Sequence, residues 1–298
     1  MSDSPVIEIG LQNQEFKDAV RVLACLREAG HEAYFVGGCV RDLLLGLEAK
    51  DYDIATGAKP EEVGRIFPAA RGFGQRFGVC LVPVEVGEVE VAAFREDGPY
   101  FDHRRPAWVN YAGIEEDARR RDFTINALYY DPLADRVVDL VEGLHDLESR
   151  LLRAIGDPFE RLDEDWLRLL RAVRFAARFG MEFDFLTWDA VRALAPLVTG
   201  VSVERRTEEV RWMLLAPNAA RALGLLYTSG LWKALWPDLP ISISRLQKIA
   251  AALEADPSHE YIWRSFFADL SPQVLETTLE HLRLTRAERR SVLEVSGS

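Results

Sequence analysis

The sequence predicts an α+β chain: a mixed β-sheet with its helices in the first half, followed by an all-helical region. Three observations carry that prediction. Residues 33–36, Ala-Tyr-Phe-Val, form a short aromatic and β-branched run that stops at Gly37-Gly38. Residues 78–84 and 88–94 alternate on either side of Glu85-Val86-Gly87, the pattern of a β-hairpin with a tight turn. Beyond about residue 140 the apolar residues recur at three- and four-residue intervals, which is the helical period.

Composition bounds the function. With 298 residues, 48% hydrophobic and 28% charged, the chain has the makeup of a soluble globular protein with room for more than one domain. The amino terminus MSDSPVIEIG lacks a basic region followed by an apolar run, and no stretch reaches the roughly 18 apolar residues of a membrane span, so the expectation is a cytoplasmic protein with no membrane partner. Cys25, Cys39 and Cys80 are odd in number and scattered, which suits reduced thiols and not zinc. A formal net charge of −12 excludes a protein that coats nucleic acid by bulk electrostatics. Arginines nevertheless cluster at Arg104-Arg105, at Arg119, Arg120 and Arg121, at Arg168, Arg171, Arg174 and Arg178, and at Arg205-Arg206. Local basic patches in an acidic chain fit a cleft for anionic substrates. The sequence sets no oligomeric state.

Taken in order, residues 15–28 place Phe16, Val20, Leu23 and Leu26 at helical spacing and stop at Gly30. After the first strand, Gly37-Gly38 lets a bare backbone approach a ligand. A helix starting at residues 39–45 turns its first N–H groups back over those glycines, a phosphate site to which Arg41 adds charge. In Asp51-Tyr52-Asp53 the strand period of two puts both carboxylates on one face and Tyr52 with Ile54 on the other. Two adjacent carboxylates repel unless a cation lies between them, and magnesium, a hard ion that shares oxygen ligands with phosphates, suits the position. Alone, an Asp-x-Asp is a solvated turn. Joined to a phosphate cradle it points to phosphoryl transfer.

Residues 60–67 read as a helix opened by Pro60. In the second hairpin strand Glu88, Glu90 and Ala92 share a face, making Glu90 a candidate third carboxylate with Glu85 as its rival. Residues 95–116 read as a long functional loop. A short strand at 136–140 follows, then helices at 144–150, 160–179, 188–197, 203–215 and 219–227, and three more.

The stretch from residue 33 to 56 resembles the signature of the nucleotidyltransferase superfamily, in the branch that holds bacterial class II CCA-adding enzymes and poly(A) polymerases. Further motifs extend the resemblance over about residues 33–235. Glu90-Val91-Ala92-Ala93-Phe94 is similar to the family's "EVTTF" strand, with Ala92 and Ala93 in place of the threonines. Asp102-His103-Arg104-Arg105-Pro106 resembles the core of its flexible loop, Arg120 to Leu128 its second motif, Asp163 to Phe175 its Glu-Asp-x-x-Arg motif, and Val201 to Glu209 a bracing motif.

The resemblance implies a polymerase β-like nucleotidyltransferase domain at 1–140, a helical neck at 141–235 that reads the nucleobase, and a helical body segment at 236–298. Relatives continue into further domains that grip the tRNA elbow, and the ending Val295-Ser296-Gly297-Ser298 reads as a truncation or a tag scar. Asp51 and Asp53 would hold magnesium, and Glu90 would complete the catalytic cluster. Gly37, Gly38, Arg41, Arg121 and Asp122 would take the triphosphate and ribose, and Arg171 and Arg174 would also serve the nucleotide. Asp165 and Arg168 would project together from one helix to read the Watson–Crick edge of C or A, and Asp102, Arg104 and Arg105 would act in the loop. A carboxylate accepts from an exocyclic amine and a guanidinium donates to a ring nitrogen or carbonyl, which selects C and A without a template.

The implied reaction adds CMP and AMP from CTP and ATP to the 3′ end of tRNA. An A-adding enzyme, a CC-adding enzyme or a poly(A) polymerase would use the same chemistry, although a CC-adding enzyme typically lacks part of the loop. A non-catalytic RNA-binding protein has no need of both a cation clamp and a base reader.

Overall fold

The computed structural model describes residues 13–49, 51–72, 78–255, 259–268 and 270–296. The N-terminal decapeptide and Gly297-Ser298, both weighed in the sequence, lie outside the described residues. Two compact units result: one runs to Phe101 and adds Pro106–Ser149 and Arg153–Gly156; the other takes Asp102–Arg105, Arg150–Leu152 and the chain from Asp157 onward.

The first unit contains, in order, α1 (Gln14–Glu28), β1 (Ala33–Val36), α2 (Gly38–Leu44), β2 (Ile54–Thr56), α3 (Pro60–Ile66), β3 (Val79–Pro83), β4 (Glu88–Ala93), β5 (Arg95–Asp97), β6 (Val109–Tyr111), α4 (Ile114–Arg119), β7 (Leu128–Asp131), β8 (Arg136–Asp139) and α5 (Gly143–Glu148). Six strands form one mixed sheet in the order β3-β4-β2-β1-β7-β8. The β3–β4 pair is the expected antiparallel hairpin, and β2 runs parallel to β4 with Ile54 opposite Val91. Strand β1 is central and buried on both faces, which is why all four of its residues are apolar or aromatic. On one face Phe35 meets Phe16 of α1 and Tyr52, each at 5.6 Å between ring centroids. On the other, Tyr34 packs against Phe94 and Tyr129. Burying each such ring stabilises the fold by about 1.5–3 kcal/mol.

Strand β7, between β1 and β8, has no counterpart in the sequence reading. Residues 95–116 are also more ordered than a loop: β5 and β6 pair antiparallel and α4 follows.

The second unit holds β9 (Leu151–Leu152), α6 (Pro158–Glu164), α7 (Leu167–Arg178), β10 (Glu182–Phe183), α8 (Phe185–Leu194), α9 (Val203–Leu214), α10 (Ala219–Thr228), α11 (Leu231–Leu235), α12 (Ile243–Ala255), α13 (His259–Phe267), α14 (Pro272–Glu280) and α15 (Arg286–Ser296). Among the described residues five helices therefore follow α10, where the sequence suggested three. Helix α7 buries Leu169, Leu170, Ala172, Val173 and Ala176, and α9 and α10 pack against it. Buried Glu288 ties α15 to two neighbours: it accepts from Arg211 Nε of α9 at 2.8 Å and from Trp263 Nε1 of α13 at 2.9 Å.

The helix expected over 160–179 is broken. Asp165, at φ −143° and ψ 104°, is extended between α6 and α7. Its side-chain Oδ1 accepts from Leu167 N at 3.1 Å and its carbonyl from Arg168 N at 2.8 Å, so it ends one helix by starting the next. No helix among the described residues is long and apolar enough to cross a membrane.

Candidate active site

Gly37 ends β1 with φ 78° and ψ −128°, a conformation that only glycine holds without strain. A Cβ there would also come within 3.4 Å of Arg121 Nη1. The turn sets Gly37 directly before α2, whose first N–H groups have no acceptor within the helix. Gly37→Ala is therefore expected to cost about 1–3 kcal/mol, read as a lower urea midpoint, and to weaken nucleotide binding.

Arg41 stands at this turn as well: a Cβ on Gly38 would lie 3.6 Å from its Nη2. It is buried, donating from Nε to Asp42 Oδ1 at 2.8 Å and from Nη1 to Asn126 Oδ1 at 2.5 Å. Asn126 Nδ2 in turn donates to Asp122 Oδ1 at 3.0 Å, which also accepts from Phe123 N. Arg41 and Asp122, expected to face the nucleotide, thus lie in one internal network that fixes α2 against the turn at Thr124–Asn126.

Arg121 also reaches the glycine turn, on the Gly37 side. Asp117 Oδ2 accepts from its Nη2 at 2.9 Å and from Tyr129 O–H at 2.7 Å, and Arg120 donates to Asp117 Oδ1. Burial alone would raise the Asp117 carboxyl, but Arg121, Arg120 and the Tyr129 hydroxyl bring it down to about 2. Asp117 in turn keeps the partly buried Arg121 firmly protonated. A carboxyl held below its unfolded range stabilises the fold above about pH 4, and that contribution is lost as pH falls toward 2. Asp117→Asn should cost about 3–5 kcal/mol at pH 7, with the gap in thermal stability closing as both proteins are taken below pH 4.

The carboxylates converge through strand register. Because Ile54 lies opposite Val91 in the parallel β2–β4 pair, Asp53 and Glu90, one residue earlier on each chain, are neighbours. Asp53 is pushed up to about 6, by burial first and then by Glu90 and Asp51, with Arg121 opposing. Partial burial also raises Glu90; Arg95 opposes that rise and Asp51 adds to it. Glu85 belongs elsewhere: it sits in the β3–β4 turn beside α1, its Oε2 3.4 Å from Gln14 Nε2. Beneath the carboxylates the Cys39 thiol is pushed up to about 12 by burial and then by Asp53, and so is not a nucleophile. Among the described residues no three or more His, Cys, Asp or Glu side chains form a preformed cation cage. Gathered, mutually repelling carboxylates fit a hard cation whose remaining ligands come from substrate phosphates.

In the helical unit, Asp165 and Arg168 find different partners. Arg205 Nη1 and Nη2 grip the Asp165 carboxylate at 3.2 and 2.7 Å, whereas Arg168 Nη1 donates to Arg161 O at 2.6 Å and to Glu164. Asp165 and Arg168 remain joined through the backbone across the break, Arg168 N donating to Asp165 O at 2.8 Å. Arg174 donates to Glu209 at 2.6 Å and lies over Phe175, as does Arg171. In the turn Asp102–Arg105, Asp102 Oδ1 accepts from Arg104 N and Arg105 N, leaving both arginine side chains exposed. Sequence reading missed Asp117, Tyr129 and Asn126, and the hold of Arg205 on Asp165. Asp117 was findable, since it precedes Arg120 and Arg121 at helical spacing.

Residues 33–153 match the family described as Poly A polymerase head domain, and residues 180–241 the one described as probable RNA and SrmB-binding site of polymerase A. A CCA-adding enzyme of Streptococcus gordonii is 40% identical over 285 residues, covering 94% of this chain and 71% of its own length. The Bacillus stearothermophilus CCA-adding enzyme in complex with CTP is 32% identical with a TM-score of 0.68, over 90% of this chain and 69% of that one. The Thermotoga maritima CCA-adding enzyme complexed with tRNA shares the fold at a TM-score of 0.77 and 20% identity, over 98% of this chain and 72% of that one.

Proposed function

Since the chain belongs to the CCA-adding enzyme family, we propose that it adds CMP and AMP, from CTP and ATP, to the 3′ end of tRNA in the cytoplasm. The observation that carries this reading is the meeting of Asp53 and Glu90 across the parallel β2–β4 register, with Arg121 acting on Asp53 and reaching the Gly37 turn.

The terminal 3′-hydroxyl attacks the α-phosphorus of the incoming nucleotide in line with the departing pyrophosphate. Gly37 and Gly38 bring bare backbone to the triphosphate, and Arg121, kept charged by Asp117, offsets its negative charge. Arg41, Asp42, Asn126 and Asp122 hold that turn in shape, with Arg41 close enough to Gly38 to add charge beside the triphosphate. Enzymes of this kind generally need a divalent metal, and Asp51 and Asp53 would hold magnesium here, with Glu90 completing the acidic cluster. When bound, the ion supplies Lewis-acid activation of the hydroxyl and charge neutralisation at the phosphates. In the neck, Asp165 accepts from the exocyclic amine of C or A, and Arg168 supplies the donor. The helices after residue 235 form a body segment.

Incubating the protein with labelled CTP and ATP and tRNA lacking its 3′ end, with and without magnesium, tests the proposal. Magnesium-dependent gain of three nucleotides is expected. Gain of only A, only two C, or a long A tract would assign the product to another member of the family, and no transfer at all would overturn the catalytic reading.

A further inference from the structure

Trp166 occupies the break between α6 and α7, directly after Asp165, and three contacts fix its indole. Its Nε1 donates to Asp163 Oδ1 at 2.8 Å. The His103 ring stacks on it, with centroids 3.9 Å apart and planes 13° from parallel. Gly200 lies so close that a Cβ there would come within 2.2 Å of Trp166 Cζ3. His103 is fixed in its turn: its Nδ1 lies 2.6 Å from Asp163 O, and because a carbonyl only accepts, Nδ1 carries the proton. His103 also has a φ of 50°, in the left-handed region that a non-glycine residue keeps only where its surroundings impose it. All of these residues belong to the helical unit. A strained residue stacked on a half-buried indole adds little apolar burial to the core. What it does is hold one ring in one place.

We infer that Trp166 is a positioning residue for base discrimination: seated between His103 and Gly200, it holds the extended residue Asp165 so that its carboxylate meets the base edge in a single orientation. The inference rests on Asp165 being the base reader. Asp165 lies outside the regular φ, ψ of both helices, so its orientation depends on the ties around it. Arg205 and Leu167 N fix the carboxylate from one side. The anchored indole of the next residue fixes the backbone from the other. Discrimination between bases needs such precision, because an angstrom of misplacement can cost about 100-fold.

The test compares kcat/KM for CTP and UTP on tRNA lacking its 3′ end, in Trp166→Ala, Trp166→Phe, Gly200→Ala, His103→Ala and Asp165→Ala, with thermal melts to check folding. Trp166→Ala should lower the CTP-to-UTP preference about tenfold while KM for the triphosphate changes less than about twofold. Trp166→Phe, which keeps a stacking ring, should recover part of the preference. Gly200→Ala should imitate Trp166→Ala, since it displaces the indole without removing it. The double variant Trp166→Ala/Gly200→Ala should be no worse than Trp166→Ala, because the added methyl then meets no ring. His103→Ala should show a smaller loss in the same direction. If Asp165→Ala lowers the preference while folded Trp166→Ala or Gly200→Ala leaves it unchanged, the positioning role is wrong. If Asp165→Ala itself leaves it unchanged, the base-reader assignment fails and takes this inference with it.

Discussion

Asp53→Asn should reduce nucleotide transfer on the order of 10³-fold, because the charge stabilisation lost with a cation ligand is several kcal/mol and each 1.36 kcal/mol is a factor of ten. The same substitution should make the metal-free protein more stable at neutral pH. Asp53 has a folded pKa of about 6, above its unfolded value of 3.8, so the folded state holds the proton more tightly. Its carboxyl costs nothing below about pH 4, where both states are protonated, and the cost grows as pH rises through 6. Removing it should raise unfolding stability at pH 7 by roughly 1–3 kcal/mol, with parent and variant converging near pH 4. Thermal melts at pH 4 and pH 7 in chelator check this, and added magnesium should narrow the gap at pH 7 by stabilising the parent alone. Equal stability at pH 7 would mean that the three carboxylates do not repel.

Asp165→Ala should lower the preference for CTP and ATP over UTP and GTP by about 10- to 100-fold, the 1–3 kcal/mol expected of a good base-edge contact. Binding of the triphosphate should change far less, since phosphate contacts position and base contacts specify. Arg205 loses its anion in this variant, but it is partly exposed and can be hydrated, so the fold should survive. Arg121→Ala should behave in the opposite way, weakening all four nucleotides together with selectivity intact. Steady-state incorporation with each of the four triphosphates separates the two variants. Equal loss of all four in Asp165→Ala would leave Asp165 as a structural partner of Arg205 and nothing more.

How far the sequence could be read depended on whether an interaction was local. The strand, glycine turn and short helix at residues 33–44 were legible because each has its own composition signal. The hairpin and the shared face of Glu88, Glu90 and Ala92 followed from the period of two, and the structure buries Val89, Val91 and Ala93 opposite them. Strand β7 was hidden because Leu128, Tyr129 and Tyr130 are buried on both faces and show no alternation. The break at Asp165 was hidden because apolar residues continue at helical spacing through Leu162, Trp166, Leu167 and Leu170, and the bonds that hold Asp165 extended, to Leu167 N and to Arg205, leave no periodic signal. Arg41 was legible beside the glycine turn, where the structure puts it, but its bond to Asn126 was not, because that partner lies 85 residues away.

The parallel register of β2 and β4 also bears on how such a chain tolerates insertions and deletions. Ile54, Ala55 and Thr56 align with Val91, Ala92 and Ala93 through backbone hydrogen bonds, and that alignment does not depend on how much chain joins the two strands. Residues can be gained or lost between Thr56 and Val79 without moving Asp53 relative to Glu90, provided the hairpin that follows stays intact. A single residue gained between Glu90 and Val91 has the opposite effect. It turns Glu90 onto the face of Val89 and Val91, away from Asp53, while leaving the composition of the strand almost unchanged.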